Sequence, residues 1–250
     1  MTSHRPLSDL LVNLEAILFD LDGTLRHDQP LSEQALYDYT VNLGVADGAE
    51  KRRRAARWAH YYWAQSPELL QDIEAFGGLN DPFWLNYAMR SLLVFDCSED
   101  CARQLAPQVK RFMREEFQPE DVVAEGAPAV LGSLKAAGYR LAVLSNRQKP
   151  CHDHLASLGL LPFFDLAVVA VEIDAWKPDP LFFRRSLERL GTPKERALYI
   201  GDNYYADVLG AQNAGIQPVL LDPLDLFPEA DCPVIHCFGD LPSLLNQEKQ

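Results

Sequence analysis

Short apolar runs that stop abruptly at polar residues recur along this chain, and they predict its architecture. The first occupies residues 14–19 and ends in Asp20-Leu21-Asp22-Gly23-Thr24-Leu25. A continuous apolar run of this length reads as a strand buried on both faces, the kind a parallel sheet uses. Residues 140–144 repeat the pattern and end in Ser145-Asn146, and residues 197–200 repeat it and end in Gly201-Asp202. Further strands are predicted within 165–173, 219–221 and 234–235. Helices lie between them. One spans 128–137 and stops at Gly138, and another spans 152–158 and stops at Gly159. A third opens at Asp179 as N-cap with Pro180 in its first position, and a fourth runs from Tyr205 to Gly215.

From residue 26 to residue 125 the period changes to that of helices, and no strand is predicted. Leu36, Tyr39, Val41 and Leu43 mark an apolar face over 32–43. Ala55, Trp58, Ala59, Tyr62 and Trp63 mark another over 50–65. Pro67 opens a helix that ends near Gly77-Gly78. Asn80 or Asp81 caps the next, with Pro82 in its first turn, and 98–117 is the last. Strands alternating with helices predict an α/β fold, a Rossmann-like doubly wound parallel sheet with right-handed crossovers. The all-helical block is then an insertion. Residues 1–25 and 126–250 form the core, and 26–125 form a cap domain over the carboxyl edge of the sheet, where the insertion leaves and returns.

Composition narrows the class. With 48% hydrophobic content in 250 residues, the chain has the material for a substantial core. A net charge of −13, from 23 basic and 36 acidic residues, argues against a nucleic-acid partner. A small phosphorylated partner stays open, because a local cation reverses the sign inside a pocket. No run approaches the ~18 apolar residues of a membrane span, and Met1–Asn13 lacks the pattern of a signal peptide. Five scattered cysteines, an odd number, read as reduced thiols in the cytoplasm. Cys97/Cys101 and Cys232/Cys237 lack zinc-site spacing with partners in reach. The oligomeric state is not legible.

The strand ends carry the chemistry. Asp20 and Asp22 stand two residues apart, and Gly23 lets the backbone turn sharply there. In an open α/β sheet the ligand crevice lies outside the carboxyl ends of the strands. One acid is placed to serve as nucleophile and the other as general acid/base. Ser145, the Asn146 backbone N–H, Lys177 and Asp202, with Asp207 five residues further on, converge on the same crevice. Singly each has an ordinary reading: a Ser-Asn after a strand is a turn, and a Lys before Pro is solvated. Together, in this order, they point to a site. Crowded carboxylates raise one another's pKa unless a cation intervenes, and oxygen-only donors suit Mg²⁺. Lys177 adds a fixed positive charge for phosphate oxygens or for the nucleophile.

Four motifs in order, Asp20-Leu21-Asp22-Gly23-Thr24, Ser145-Asn146, Lys177-Pro178 and Gly201-Asp202-Asn203-Tyr204-Tyr205-Ala206-Asp207, give the chain a resemblance. It resembles the haloacid dehalogenase-like (HAD) hydrolase superfamily, in the branch with a helical cap after the first motif. The resemblance spans nearly the whole chain and is weakest in the cap. It implies that Asp20 is nucleophile and metal ligand. It implies that Asp22 protonates the leaving oxygen and then activates water, with its backbone carbonyl on the metal. Thr24 would help position Asp22, and Ser145 and the Asn146 amide would bind the phosphoryl group. Lys177 would neutralise charge around nucleophile and phosphate, Asp202 would ligate Mg²⁺, and Asp207 would support the metal site from behind.

Asp22 also selects the reaction. An alkoxide leaving group needs a proton and a halide does not, and the dehalogenases of the superfamily resemble Asp-x-Tyr-Gly-Thr at this motif. The expectation is a Mg²⁺-dependent phosphatase of a small phosphorylated metabolite. A phosphomutase on a sugar phosphate and a non-catalytic phosphate-binding protein on the same scaffold are the alternatives. In the cap, Arg54 and Arg57, one turn apart in a basic cluster, are candidate specificity contacts. A solvated helix face is the favoured reading of that cluster. Trp58, Tyr61, Tyr62, Trp63, Phe83, Trp84 and Tyr87 are either cap core, the favoured reading, or the lining of an apolar pocket.

Overall fold

The computed structural model describes residues 12–246, so the expectation of a chain start without a leader lies, up to residue 11, outside the described residues. Six strands form one parallel sheet: β1 (Ala16–Phe19), β4 (Arg140–Ser145), β5 (Leu166–Val169), β6 (Ala197–Gly201), β7 (Gln217–Leu221) and β8 (Val234–Ile235). Their order is β5-β4-β1-β6-β7-β8, with every neighbouring pair parallel. Counted along the chain this is the order of a dinucleotide-binding sheet, and the direction of winding reverses between β1 and β6.

Side chains alternate strictly between the two faces of the sheet. Ile17, Phe19, Leu141, Val143, Leu198, Ile200, Val219 and Leu221 share one core with Leu131 and Leu134 of α6 (Ala127–Ala136) and Leu155 of α7 (His152–Ser157). Ala16, Leu18, Ala142, Leu144, Ala197 and Tyr199 share the other with α8 (Ala170–Ile173), α9 (Pro180–Leu190) and α10 (Leu209–Ala214). On that second face three alanines leave room for Phe182 and Phe183 of α9. Phe183 lies edge-on to Tyr199, with centroids 5.1 Å apart. Strands covered on both faces have no polar alternation, which is why they read as unbroken apolar runs.

The chain divides into two compact units, one of residues up to 27 and from 122 onward, the other of Asp28–Asp121. The second unit is helical: α1 (Ser32–Asn42), α2 (Ala49–Trp63), α3 (Pro67–Phe76), α4 (Asp81–Val94) and α5 (Glu99–Arg111). Its caps follow the expected chemistry. Ser66, Asn80 and Ser98 accept from the backbone N–H three residues on, at 3.1, 3.1 and 3.3 Å.

Two local expectations are corrected, and a third is narrowed. Strands do occur between 26 and 125: β2 (Arg26–Gln29) and β3 (Glu120–Val123) form a separate two-stranded sheet. Their sequences, Arg-His-Asp-Gln and Glu-Asp-Val-Val, hold no apolar alternation, so only the pairing of their backbones reveals them. The strand expected within 165–173 is β5, which stops at Val169, where the Glu172 carboxylate accepts from the Val169 N–H at 3.1 Å and a short helix begins. The helix read over 98–117 is α-helical only to Arg111 and widens into a π-type turn over Phe112–Glu116.

Candidate active site

Asp20 closes β1, and its N–H donates to the Ile200 carbonyl at 2.9 Å, which locks the loop after β1 beside the loop after β6. These two loops flank the point where the sheet order reverses. Gly23 sits at φ +90°, and a Cβ there would lie 2.3 Å from a carboxylate oxygen of Asp202. A glycine is therefore required both for the turn and for the approach of Asp202. The Thr24 hydroxyl, fully buried, donates to Asp202 at 2.9 Å. It holds this carboxylate rather than Asp22, the group the resemblance assigned to it.

The buried centre is built around Lys177. Its ammonium donates to Asp20 Oδ1 at 2.5 Å, to Asp207 Oδ1 at 2.7 Å and to the Tyr199 hydroxyl at 3.0 Å. Tyr199 in turn donates to Asp207 at 2.9 Å. Burial pulls the Lys177 ammonium down, but the Asp20 and Asp207 carboxylates outweigh it and hold its pKa above the usual lysine value. Asn146 fixes the segment that carries this lysine. Its side-chain amide donates to the Lys177 carbonyl at 2.9 Å and accepts from the Lys177 N–H at 2.7 Å. Ser145, at the end of β4, is buried beside it.

Asp207 is held from the other side. Its second oxygen accepts from the Asn203 N–H at 3.0 Å, while Asn203 Oδ1 accepts from Tyr205 and Ala206, each at 3.0 Å. Those bonds shape a π-type turn over Tyr204–Val208 ahead of α10.

Carboxylate crowding leaves its mark on the acids. Burial pushes Asp20 up to about 7 against the pull of Lys177, and Asp207 and Asp22 add to the rise. Burial likewise holds Asp202 well above the carboxylate range, with Asp20 and Asp207 contributing. Oxygens of Asp20, Asp202 and Asp207 lie within 4.8 Å of one another. Three carboxylates against one lysine leave the cluster short of positive charge, and the donor set is oxygen only. These residues fit a hard divalent cation. Asp207 already accepts from Lys177, Tyr199 and Asn203, so Asp20 and Asp202 are the carboxylates placed to hold it directly.

Asp22 stands apart from this cluster. Arg147 grips it with a two-pronged guanidinium, Nε to Oδ2 at 2.7 Å and Nη2 to Oδ1 at 2.6 Å, and Arg26 reaches Oδ1 at 3.3 Å. Arg147 and Tyr199 were missed from the sequence. A tyrosine inside an otherwise apolar strand, and an arginine two residues after the serine at a strand end, were the available signals.

The helical unit divides its aromatics. Tyr62 and Phe83 are fully buried, with Trp58 packed against them. Trp63 and Tyr87 pack against the same pair and, with Trp84, also line a cavity of about 710 Å³, together with Glu33, Met113 and Phe117. Arg54 donates to the Val94 carbonyl at 2.8 Å and to Asp96 at 2.5 Å, tying α2 to the end of α4. Neither Arg54 nor Arg57 is among the residues that line the cavity.

A parallel doubly wound sheet with a buried acid–lysine–acid cluster at its switch point, and a second acid two residues beyond, defines a Rossmann-like enzyme with an acidic centre. The chain belongs to the haloacid dehalogenase-like hydrolase family, whose description matches residues 14–215. It is 31% identical to a phosphoserine phosphatase of Thermus thermophilus, over 84% of this chain and 89% of that protein. It is 30% identical to a phosphoglycolate phosphatase of Rhodospirillum rubrum, over 92% of this chain and 89% of that one. The solved HAD phosphatase of Thermococcus onnurineus shares its fold, with a TM-score of 0.55 at 23% identity over 93% of this chain and 98% of that one.

Proposed function

We propose that this hydrolase is a Mg²⁺-dependent phosphatase of small phosphomonoesters, working in the cytoplasm through an aspartyl-phosphate on Asp20. The observation that carries the reading is the shared grip of Lys177 on Asp20 and Asp207, next to Asp202 and with Asp22 two residues after Asp20. The relatives named for phosphoserine and phosphoglycolate support the substrate class, and five free cysteines support a reducing compartment.

In this mechanism Lys177 orients the Asp20 carboxylate and shields its charge from the incoming phosphate. The Ser145 hydroxyl and the Asn146 N–H bind the phosphoryl oxygens. An Asp20 oxygen bonds to phosphorus as the ester P–O bond breaks, and Asp22 gives its proton to the departing alkoxide. Asp22 then takes a proton from water, which attacks phosphorus, releases phosphate and restores Asp20. Asp20, Asp202 and the Asp22 backbone carbonyl would hold Mg²⁺, which would supply positive charge where negative charge develops on the phosphoryl oxygens.

The test is phosphate release from p-nitrophenyl phosphate and a panel of metabolite phosphates, with Mg²⁺ and with chelator, for wild type and Asp20→Asn. Mg²⁺-dependent release that Asp20→Asn abolishes is the expected result. Release that persists in Asp20→Asn, or none across the panel from wild type, would overturn the reading.

A further inference from the structure

We propose that Arg147, with Arg26 beside it, is the recognition site for a second anionic group on the substrate: a carboxylate on the carbon that bears the ester oxygen. The inference rests on the reading of Asp22 as the acid that protonates that oxygen.

The geometry places Arg147 between two working loops. Its own N–H donates to the Ser145 hydroxyl at 3.3 Å, which fixes the start of its side chain in the loop after β4. Its guanidinium crosses to the loop after β1 and takes both oxygens of Asp22, at 2.6 and 2.7 Å. A contact between Arg147 Nη1 and His154 Nδ1 backs the guanidinium from α7. Unlike the buried Lys177 pair, this one is reachable: the Arg147 side chain is 28% exposed and that of Asp22 38%.

The chemistry sets a conflict. Both Asp22 oxygens serve as acceptors for a fork of fixed geometry, yet an acid must bring an oxygen to the leaving group, within about 2.6–3.2 Å. The fork holds Asp22 facing the guanidinium, so turning an oxygen toward the leaving group opens it on at least one side. A neutral ester offers the guanidinium nothing in return. An ester with a carboxylate one carbon from its leaving oxygen offers an equivalent fork partner, because Arg pairs bidentately with any carboxylate. With the leaving oxygen at hydrogen-bond distance from Asp22, that carboxylate falls beside the groups that already hold Asp22. The Arg147 fork then passes from Asp22 to the substrate, Arg26 keeps its place at the rim, and Asp22 is released to act. The same residue recognises the substrate and uncovers the acid.

Binding of two non-hydrolysable probes of equal length tests this. In 3-phosphonopropionate a methylene replaces the ester oxygen and a carboxylate ends the chain; in propylphosphonate a methyl ends it. Calorimetric titration with Mg²⁺ present is expected to show wild type favouring the carboxylate probe at least tenfold, about 1.4 kcal/mol. Arg147→Gln is expected to bring the preference within threefold, and Arg147→Lys, a point charge without the fork, to fall between. Unchanged melting temperatures check that the variants fold, and Arg147→Lys carries the test if Arg147→Gln does not. Equal binding of the two probes by wild type, no binding of either, or a preference that survives in both variants would overturn the proposal. Ester hydrolysis is read separately. Carboxylate preference without hydrolysis would sink the phosphatase reading alone, and hydrolysis without preference would sink this one alone.

Discussion

Replacing Lys177 with methionine removes the cation that two buried carboxylates share while keeping the length of the side chain. Lys177 and Asp207 are almost fully buried and Asp20 nearly so. Breaking a buried pair by deleting one partner typically costs about 3–5 kcal/mol, because the remaining charge has no compensation. Here the cost depends on pH, and its sign follows from Asp20. The folded-state pKa of Asp20 is raised to about 7 from an unfolded value of 3.8. Its contribution to stability is therefore fully present below the unfolded value and is lost as pH rises through 7. In wild type Lys177 limits that loss. In Lys177→Met nothing does, and Asp20 either stays protonated or ionises unpaired.

The difference in unfolding free energy between wild type and Lys177→Met is thus expected to be about 3–5 kcal/mol near pH 8 without divalent cations. It should shrink by up to about 1.4 kcal/mol per pH unit as pH falls toward 7, where wild type regains the Asp20 proton that the variant keeps, and level off below 7. Urea unfolding of both proteins between pH 5.5 and 8.5 measures it. A pH-independent difference, or a variant more stable than wild type at pH 8, would refute the idea that Lys177 is there to balance these carboxylates.

Gly23→Ala places a methyl 2.3 Å from an Asp202 oxygen at φ +90°; Mg²⁺ affinity by calorimetry should fall at least tenfold, with about 1–3 kcal/mol of stability lost to strain. Asn146→Ala opens both bonds to the Lys177 backbone, and kcat on p-nitrophenyl phosphate should drop about tenfold or more, with a stability loss of about 1–3 kcal/mol on thermal unfolding. Arg54→Ala cuts the bonds to Val94 and Asp96 on an exposed face; KM for the same ester should stay within twofold and stability should change by at most about 1 kcal/mol. Because Asp20 and Asp202 carry raised pKa values, protons compete with the cation. Apparent Mg²⁺ affinity should rise between pH 6 and 8, by up to about tenfold per unit for each proton displaced, and a flat profile in a titration series would count against these ligands.

How much of this was visible in the sequence depends on what each residue answers to. Strands buried on both faces leave an unbroken apolar signature, so β1, β4 and β6 and their terminal acids, serine and asparagine were legible. β2 and β3 were not, because polar edge residues carry no period and only long-range pairing makes them strands. The Asn146 side-chain clasp on Lys177 spans 31 residues and the Arg147 fork on Asp22 spans 125. No local pattern encodes such distances. Thr24 shows the same limit: its place in the first motif suggested Asp22, two residues away, yet folding brings Asp202 to its hydroxyl. In the helical unit, Trp58 and Trp63 lie on one predicted face, and only the packing of α4 decides which of them lines a cavity.

The electrostatic deficit at the sheet's switch point links stability to function. A site selected for stability alone would match each buried carboxylate with a cation, or replace the set with apolar residues, which is often neutral or stabilising. This one keeps Asp20, Asp202 and Asp207 within 4.8 Å of one another around a single lysine. Burial and mutual repulsion lift Asp20 and Asp202 above the carboxylate range. A fully balanced cluster would have no affinity for a divalent cation, and an unbalanced cluster without Lys177 would repel a phosphate. In the proposed mechanism one lysine among three acids satisfies both conditions, since a cation would complete the balance and the lysine would cover the nucleophile while the anion approaches. Arg147 and Arg26 place a second, separate excess of positive charge around Asp22, so the two acids of one motif meet opposite environments. On the proposed reading that division keeps Asp20 beside the site for the cation and Asp22 beside a partner that a substrate anion would take over.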